Sequence, residues 1–360
     1  WPMTLLMRAL GHRLRALDAP GVAGQLKAPA RRVPNTGGIA IFLGIAAPIA
    51  AGLMIANTGL ADVAAGWFEG LREHLAGIRA TTPHALVLLG ALLVLHVVGV
   101  VDDRKPLGPG IKLVIMLALA LLVVWKTDTR LLVLLDSRVG GPWLSILLTV
   151  LWIGLVTNAM NFMDNMDGLA GGVGAIAASC FLAAAVLHGQ WFVAAMLALL
   201  VGSLLGFLCF NFPRRGSASI FMGDGGSLVI GFLLAFLTVR TTFYSPAAAG
   251  GWYGVFMPLV VLAVPLYDFV SVSLIRISQG RSPFVGDLQH FSHRLVRRGL
   301  SKRDAVLVIC GLTGITAIGG ISLGSLQDWQ AILVGVQTLL VLLVIALYER
   351  RAEQGTQQKA

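Results

Sequence analysis

NAMNFMDNMDGLAGG, residues 158–172, is a polar stretch caught between an apolar run that ends near residue 160 and another that starts near 172. It carries asparagines and aspartates but no lysine or arginine, and its flanks are too long and too bare of charge for a soluble protein. About 20 apolar residues suffice for a helix to cross a hydrocarbon layer. The stretch therefore reads as a turn at a membrane rim. Carboxylates without counter-charge are costly there, which makes the turn a candidate for function.

The flanking pattern recurs along the chain. Apolar runs cover 39–57, 84–101, 111–126, 143–160, 172–188, 191–210, 225–242, 252–275, 304–323 and 330–348. Of 360 residues, 57% are hydrophobic and 12% charged, against about a quarter charged in soluble domains. The expectation is an all-α polytopic membrane protein, a bundle of about ten transmembrane helices; membrane strands would read as short alternating segments. Residues 1–360 are taken as a single integral membrane domain, with a cytoplasmic N-terminal segment (1–38), the bundle (39–348) and a cytoplasmic tail (349–360). WPMTLLMRALGHRLRAL reads either as the cytoplasmic exit of an eleventh, N-terminal span whose apolar part is missing, or as an amphipathic surface helix bearing Arg8, Arg13 and Arg15. Cys180, Cys209 and Cys310 all fall in apolar runs, with neither disulfide nor zinc spacing, and read as packing residues.

Charge sets the orientation. With residues 1–38 inside, the inner segments collect 21 of the 27 Lys and Arg, the positive-inside asymmetry. The net charge of +10 is thus one-sided. It suits anionic headgroups or anionic substrates, and no nucleic-acid partner is expected.

Every acidic motif falls on that inner side. Asp102 and Asp103 end the second run, and adjacent helical residues point about 100° apart, so the two address different partners. Asn158 and Asn161, and Asp164 and Asp167, recur at helical spacing, so that a terminal turn converges on one ligand. Asp224 precedes Gly225, Gly226 and Ser227 at a helix start, where free N–H groups favour phosphate and a carboxylate beside them holds a bridging cation. In RRVPNTGG (31–38) the glycines serve either a helix-start turn or close substrate approach. Asp268 is expected to pair with Arg276. His290, His293 and Arg294 form a cationic cluster suited to a diphosphate, and His96 reads as a satisfied core histidine. The glycines after Asp167 read as helix-packing residues. Oxygen ligands without cysteine point to Mg²⁺ or Mn²⁺. Such a site at a membrane rim suits a soluble phosphate donor meeting a lipid acceptor.

VDDRKPLGPGIK, NAMNFMDNMDGLAGG, FMGDGGSL and PLYDFVSV…GRSPFVGDLQHFSHRL, in this order, resemble the polyprenyl-phosphate N-acetylhexosamine-1-phosphate transferases, the MraY/WecA-like group, from about Pro20 to Arg303. The resemblance implies transfer of a sugar 1-phosphate from a UDP-N-acetylhexosamine to a polyprenyl phosphate, with release of UMP, in a bacterial plasma membrane with a cytoplasmic active site. It implies Asn161 and Asp224 as Mg²⁺ ligands, Asp102 and Asp103 as the essential acidic pair, and Lys112 as a phosphate contact. Asp164, Asp167, Asn211 and Phe221 match positions near the nucleotide; His290, His293 and Arg294 match the basic loop near the diphosphate and sugar. Asn165 stands where a glycine is common, and the Asn211 to Phe221 loop is a few residues longer than usual. His290-Phe291-Ser292-His293 lacks the consecutive histidines of the phospho-MurNAc-pentapeptide branch, which favours the WecA-like branch and UDP-GlcNAc.

The chemistry expected is direct in-line attack with Asp102 or Asp103 orienting or deprotonating the nucleophile; a two-step route through an aspartyl phosphate is the alternative. A homodimer is compatible with all of this. Two rivals come from other classes. An intramembrane aspartyl protease would use Tyr267-Asp268 and Gly223-Asp224, but the motifs stand in reversed order. A cation-coupled transporter would place its acids at mid-membrane in repeated halves.

Overall fold

A computed structural model of the chain describes residues 1–18, 31–67, 69–241, 251–283 and 287–357. Among the described residues it is helical throughout, with one isolated β-bridge between Leu17 and Pro34. In chain order the helices are α1 (Pro2–Arg13), α2 (Gly37–Ala56), α3 (Leu60–Trp67), α4 (Glu69–Asp102), α5 (Pro109–Thr127), α6 (Asp136–Val139), α7 (Trp143–Met163) and α8 (Leu169–Leu187). They continue with α9 (Trp191–Asn211), α10 (Asp224–Arg240), α11 (Met257–Val261), α12 (Ala263–Ser278), α13 (Phe291–Arg297), α14 (Lys302–Ile321) and α15 (Asp328–Gln357).

Eight of these, α2, α4, α5, α7, α8, α9, α14 and α15, are long and apolar enough to cross a membrane, and α11 with α12 makes a ninth span bent by 64°. The protein is a polytopic membrane protein. The remaining apolar run, 225–242, forms α10, which has only 17 residues, about 26 Å. It falls short of the hydrocarbon thickness of about 30 Å, and every residue from Gly225 to Thr238 is buried. A helix apolar on all sides finds its solvent in other helices, and α10 packs against α7, α4 and α2. At the other end of the bundle, α4 begins at Glu69 and runs 34 residues, about 51 Å, and Arg79 Nε ties it to the Ala56 carbonyl at 2.7 Å.

Glycines explain why three helices converge at Asp224. Lipid tails are as apolar as leucine, so helices in a membrane associate through close packing, and small residues allow it. A Cβ on Gly99 of α4 would stand 2.4 Å from the Gly225 nitrogen, and one on Gly38 of α2 2.5 Å from the Gly226 nitrogen. Gly37 and Gly38 also donate their N–H groups to the carbonyls of Phe221 (2.8 Å) and Met222 (2.9 Å). The glycines of RRVPNTGG thus serve helix contact. Gly171 and Gly172 of α8 likewise face Leu208 and Cys310 side chains. Close by, His96 bonds the Gly225 carbonyl at 2.8 Å and stacks on Phe42, a satisfied core histidine.

Candidate active site

Four helix ends meet where α4 stops and α10 starts. The Lys112 ammonium, from the first turn of α5, bridges Asp102 Oδ2 (2.7 Å) and Asp224 Oδ2 (2.6 Å). Asn161, near the end of α7, donates to Asp224 Oδ1 and to Ser227 Oγ, each at 2.9 Å. Asp102 is fixed further by the Leu107 N–H at 2.8 Å. Asp103, turned away as the helical angle requires, accepts the Asp224 backbone N–H at 3.1 Å. The start of α10, expected to be open to phosphate, is therefore met by the Asp103 carboxylate, because a positive helix end stabilises whichever anion packs nearest. Burial, and then the adjacent Asp224 carboxylate, push Asp103 up to about 7. Gly223 admits this arrangement. Its φ is +68°, and a Cβ there would stand 2.3 Å from Asp103 Oδ2 and 2.5 Å from Asn35 Oδ1.

The opening motif divides its residues. Helix α7 ends at Met163, so Asn158 and Asn161 lie on the helix while Asp164 to Gly168 turn away. They do not converge on one ligand. Asn158 bonds back to the Gly154 carbonyl at 2.8 Å. Asp164 closes the helix through its N–H on the Asn161 carbonyl, at 3.1 Å. Asn165 donates to the Phe162 carbonyl at 2.6 Å and accepts from Ser292 Oγ, tying this turn to the histidine loop; a glycine could make neither bond. Asp167 is forked by Arg31, with Nη1 at 2.9 Å from Oδ2 and Nη2 on Oδ1, and also accepts the Ala218 N–H at 3.2 Å. Asn211 is spent internally, accepting the Gly168 N–H at 2.6 Å and donating to the Ile220 carbonyl at 2.9 Å. It braces the turn against the long loop.

The histidine loop departs from expectation in its pairings. Asp268 accepts from His290 Nδ1 at 2.9 Å and from the Phe291 N–H at 2.6 Å. Arg276 pairs instead with Asp287, at 3.0 Å, and donates to the Pro283 carbonyl at 2.7 Å. Two turns along one helix carries Arg276 past Asp268, and the folded-back loop supplies nearer partners to both. Arg294 is buried and donates to Glu349 (2.6 and 3.1 Å), to Ser271 Oγ (2.9 Å) and to the Gln289 carbonyl. It ties the loop to α15 at Glu349, with all three guanidinium nitrogens engaged inside the protein. Burial, and then the positive charge of its neighbours, push His293 down to about 4, so it is neutral at pH 7. The expected cationic cluster is thus one oriented imidazole, one neutral imidazole and one internal ion pair.

Beside this loop lies a cavity of about 520 Å³, lined by Arg31, Asn165, Asp167, Asn211, His293 and Lys302 among others, within the size range of small-molecule sites. Phe221 is not among its lining residues; the Arg31 guanidinium covers the ring, 4.4 Å from its centroid.

Two residues of this region escaped the reading of the sequence. Asn35 sits against Asp103 and Gly223, and its buried Oδ1 lacks a hydrogen-bond partner. In the sequence Arg31 is one of the basic residues of segment 1–38. The only signal for either was their place in RRVPNTGG, a polar loop leading into a glycine-rich helix start.

Residues 85–242, which hold Asp102, Asp103, Lys112, Asn161 and Asp224, match the sequence profile of glycosyl transferase family 4. The chain is 29% identical to a probable undecaprenyl-phosphate N-acetylglucosaminyl 1-phosphate transferase of Bacillus subtilis over 96% of its length and 87% of the relative's. It is 32% identical to a decaprenyl-phosphate N-acetylglucosaminephosphotransferase of Mycobacterium tuberculosis, over 94% of this chain and 85% of that one. An undecaprenyl-phosphate alpha-N-acetylglucosaminyl 1-phosphate transferase of Escherichia coli is 28% identical, over 74% and 71%. With its ordered acidic motifs gathered at one end of a helical membrane bundle, the chain belongs to glycosyl transferase family 4, the MraY/WecA-like phosphoglycosyl transferases.

Proposed function

We propose that this protein transfers N-acetylglucosamine 1-phosphate from UDP-GlcNAc to a polyprenyl phosphate at the cytoplasmic face of a bacterial plasma membrane, releasing UMP and starting a lipid-linked polysaccharide or wall polymer. The observation that carries the reading is the Lys112 ammonium held between Asp102 and Asp224, with Asn161 on the same Asp224. It is a cation position built from oxygen groups, on the side where the basic residues collect. The names of the relatives over most of the chain supply the substrate class.

The residues present fit Mg²⁺ or Mn²⁺. The donors are hard oxygens, an ammonium already stands where positive charge is stabilised, and the buried Asn35 Oδ1 is an acceptor without a donor. Among the described residues no three His, Cys, Asp or Glu side chains gather into a ready metal cluster; that suits an ion whose coordination substrate phosphates complete. Asn161 and Asp224 would hold it, and when bound it supplies positive charge against the diphosphate.

The chain's own groups do the rest. A phosphate monoester has its second pKa near 6, so the lipid phosphate arrives largely dianionic. Asp103, titrating at about 7, takes up its remaining proton or orients the attacking oxygen. That oxygen forms a bond to the phosphorus carrying the sugar. The bond from this phosphorus to the UMP oxygen breaks, and UMP leaves with the electron pair. Lys112 stabilises charge on the phosphates, and Asp102 holds Lys112 in place.

The test is UMP release by the purified protein with Mg²⁺, undecaprenyl phosphate and a panel of UDP-sugars. UDP-GlcNAc is expected to be the substrate and Asp224→Ala to be inactive while still inserted. UMP from UDP-MurNAc-pentapeptide alone would move the protein to peptidoglycan synthesis, and UMP from no donor would overturn the reading.

A further inference from the structure

We propose that Arg31 occupies the nucleobase position of this site and is exchanged for the uracil ring when the sugar nucleotide binds, so that it sets affinity and base selectivity. The inference rests on the transferase reading above. Its basis is the shape and donor pattern of what Arg31 touches. The guanidinium stands over the face of Phe221, its Cζ 4.4 Å from the ring centroid. Its N–H edge is forked by the Asp167 carboxylate, whose Oδ2 also accepts the Ala218 N–H at 3.2 Å. A planar group with N–H on its edge, an aromatic face beneath and a fixed carboxylate at the rim also describes a bound pyrimidine. Arg31 lines the 520 Å³ cavity where Phe221 does not, so the aromatic face becomes available only when the guanidinium leaves it.

The placement is built into the backbone. Three residues after Arg31, the Pro34 carbonyl accepts the Phe221 N–H at 2.8 Å, and the Phe221 carbonyl accepts the Gly37 N–H at 2.8 Å. The segment that carries Arg31 is thereby docked along the residue whose ring it covers. The contact is also exchangeable. Side-chain exposures of 40% for Arg31 and 28% for Asp167 leave the ion pair open to water, where such pairs are weak and screened by salt. The long loop between Asn211 and Phe221 contributes by presenting Ala218, which keeps Asp167 fixed after Arg31 departs.

Uridine is the probe, since it carries no charge and any salt dependence of its binding reports the ion pair. With the full chain in nanodiscs, Arg31→Ala is expected to bind uridine about 3- to 30-fold tighter than wild type, the combined weight of a solvent-open ion pair and a cation–π contact. Raising salt should tighten uridine binding to the wild type and leave Arg31→Ala unchanged. Arg31→Gln, which keeps a planar amide without the charge, should fall between them and serves if the alanine variant does not fold. Arg31→Ala binding uridine equally or more weakly overturns the inference, and the transferase reading then stands or falls separately on UMP release by the wild type. A wild type that neither binds uridine nor releases UMP overturns the transferase reading as well.

Discussion

Replacing Lys112 by Met removes the one ammonium that bridges Asp102 and Asp224 while keeping most of its volume. The two contacts are 2.7 and 2.6 Å, between groups with side-chain exposures of 23%, 13% and 23%. A unit pair about 4 Å apart is worth about 4 kcal/mol at an effective dielectric of about 20. Desolvation of the ammonium offsets part of that, and breaking a largely buried pair costs about 3–5 kcal/mol because the charges left behind are uncompensated. Lys112→Met should therefore melt well below wild type in EDTA, and kcat/KM should fall about 10²–10³-fold if the same charge stabilises the transition state. Its response to Mg²⁺ is the more telling measurement. With the ammonium gone, a divalent ion gains the most by settling between the two carboxylates; at 100 times its Kd a ligand contributes about 2.7 kcal/mol. Thermal unfolding across a Mg²⁺ titration should show a larger gain for the variant than for wild type. A variant as stable as wild type in EDTA, or no more responsive to Mg²⁺, would refute the bridge as described.

Two further outcomes follow from other parts of the site. Asp103 titrates at about 7 instead of its ordinary 3.8, so between those values the folded state holds a proton that the unfolded state has released; its contribution to stability falls as pH rises from about 4 to about 7. Asp103→Asn should abolish that slope and make the metal-free protein more stable than wild type above pH 7, although inactive; a wild-type minus variant difference in melting temperature that stays flat from pH 4 to 8 would refute it. Asp268→Asn should keep an acceptor for the Phe291 N–H but turn the other end of the group toward His290 Nδ1; with His290 at the diphosphate, as the family resemblance implies, kcat should fall about 10- to 100-fold, the weight a carboxylate has behind a metal-bound histidine, with KM little changed. Steady-state kinetics decide it, and an unchanged kcat would mean that His290 needs no orienting.

The sequence alone determined whatever depends on local pattern. Apolar runs and four motifs in a fixed order were enough for a helical membrane bundle and the family. Gly171 and Gly172 were legible as packing residues because small side chains in an apolar helix have few other uses. His96 was legible because a lone histidine in a span must be satisfied nearby.

Only the tertiary structure decided which partner each polar group takes. Asp102 and Asp224 are joined through Lys112, Asp167 takes Arg31 across 136 residues, and Arg294 is drawn 55 residues along the chain to Glu349. Charge pairing inside a bundle depends on which helix faces end up adjacent, and that is fixed by contacts such as Gly99 and Gly38 against the start of α10. Residue spacing carries no record of those crossings. For the same reason Asp268 was matched to Arg276 on its own helix when the nearer base, His290, comes from the loop folded back onto it. The turn at 158–172 shows both halves of the lesson: its acidity was enough to mark the site, and the fold divided it, sending Asn161 to Asp224 and Asp167 to Arg31.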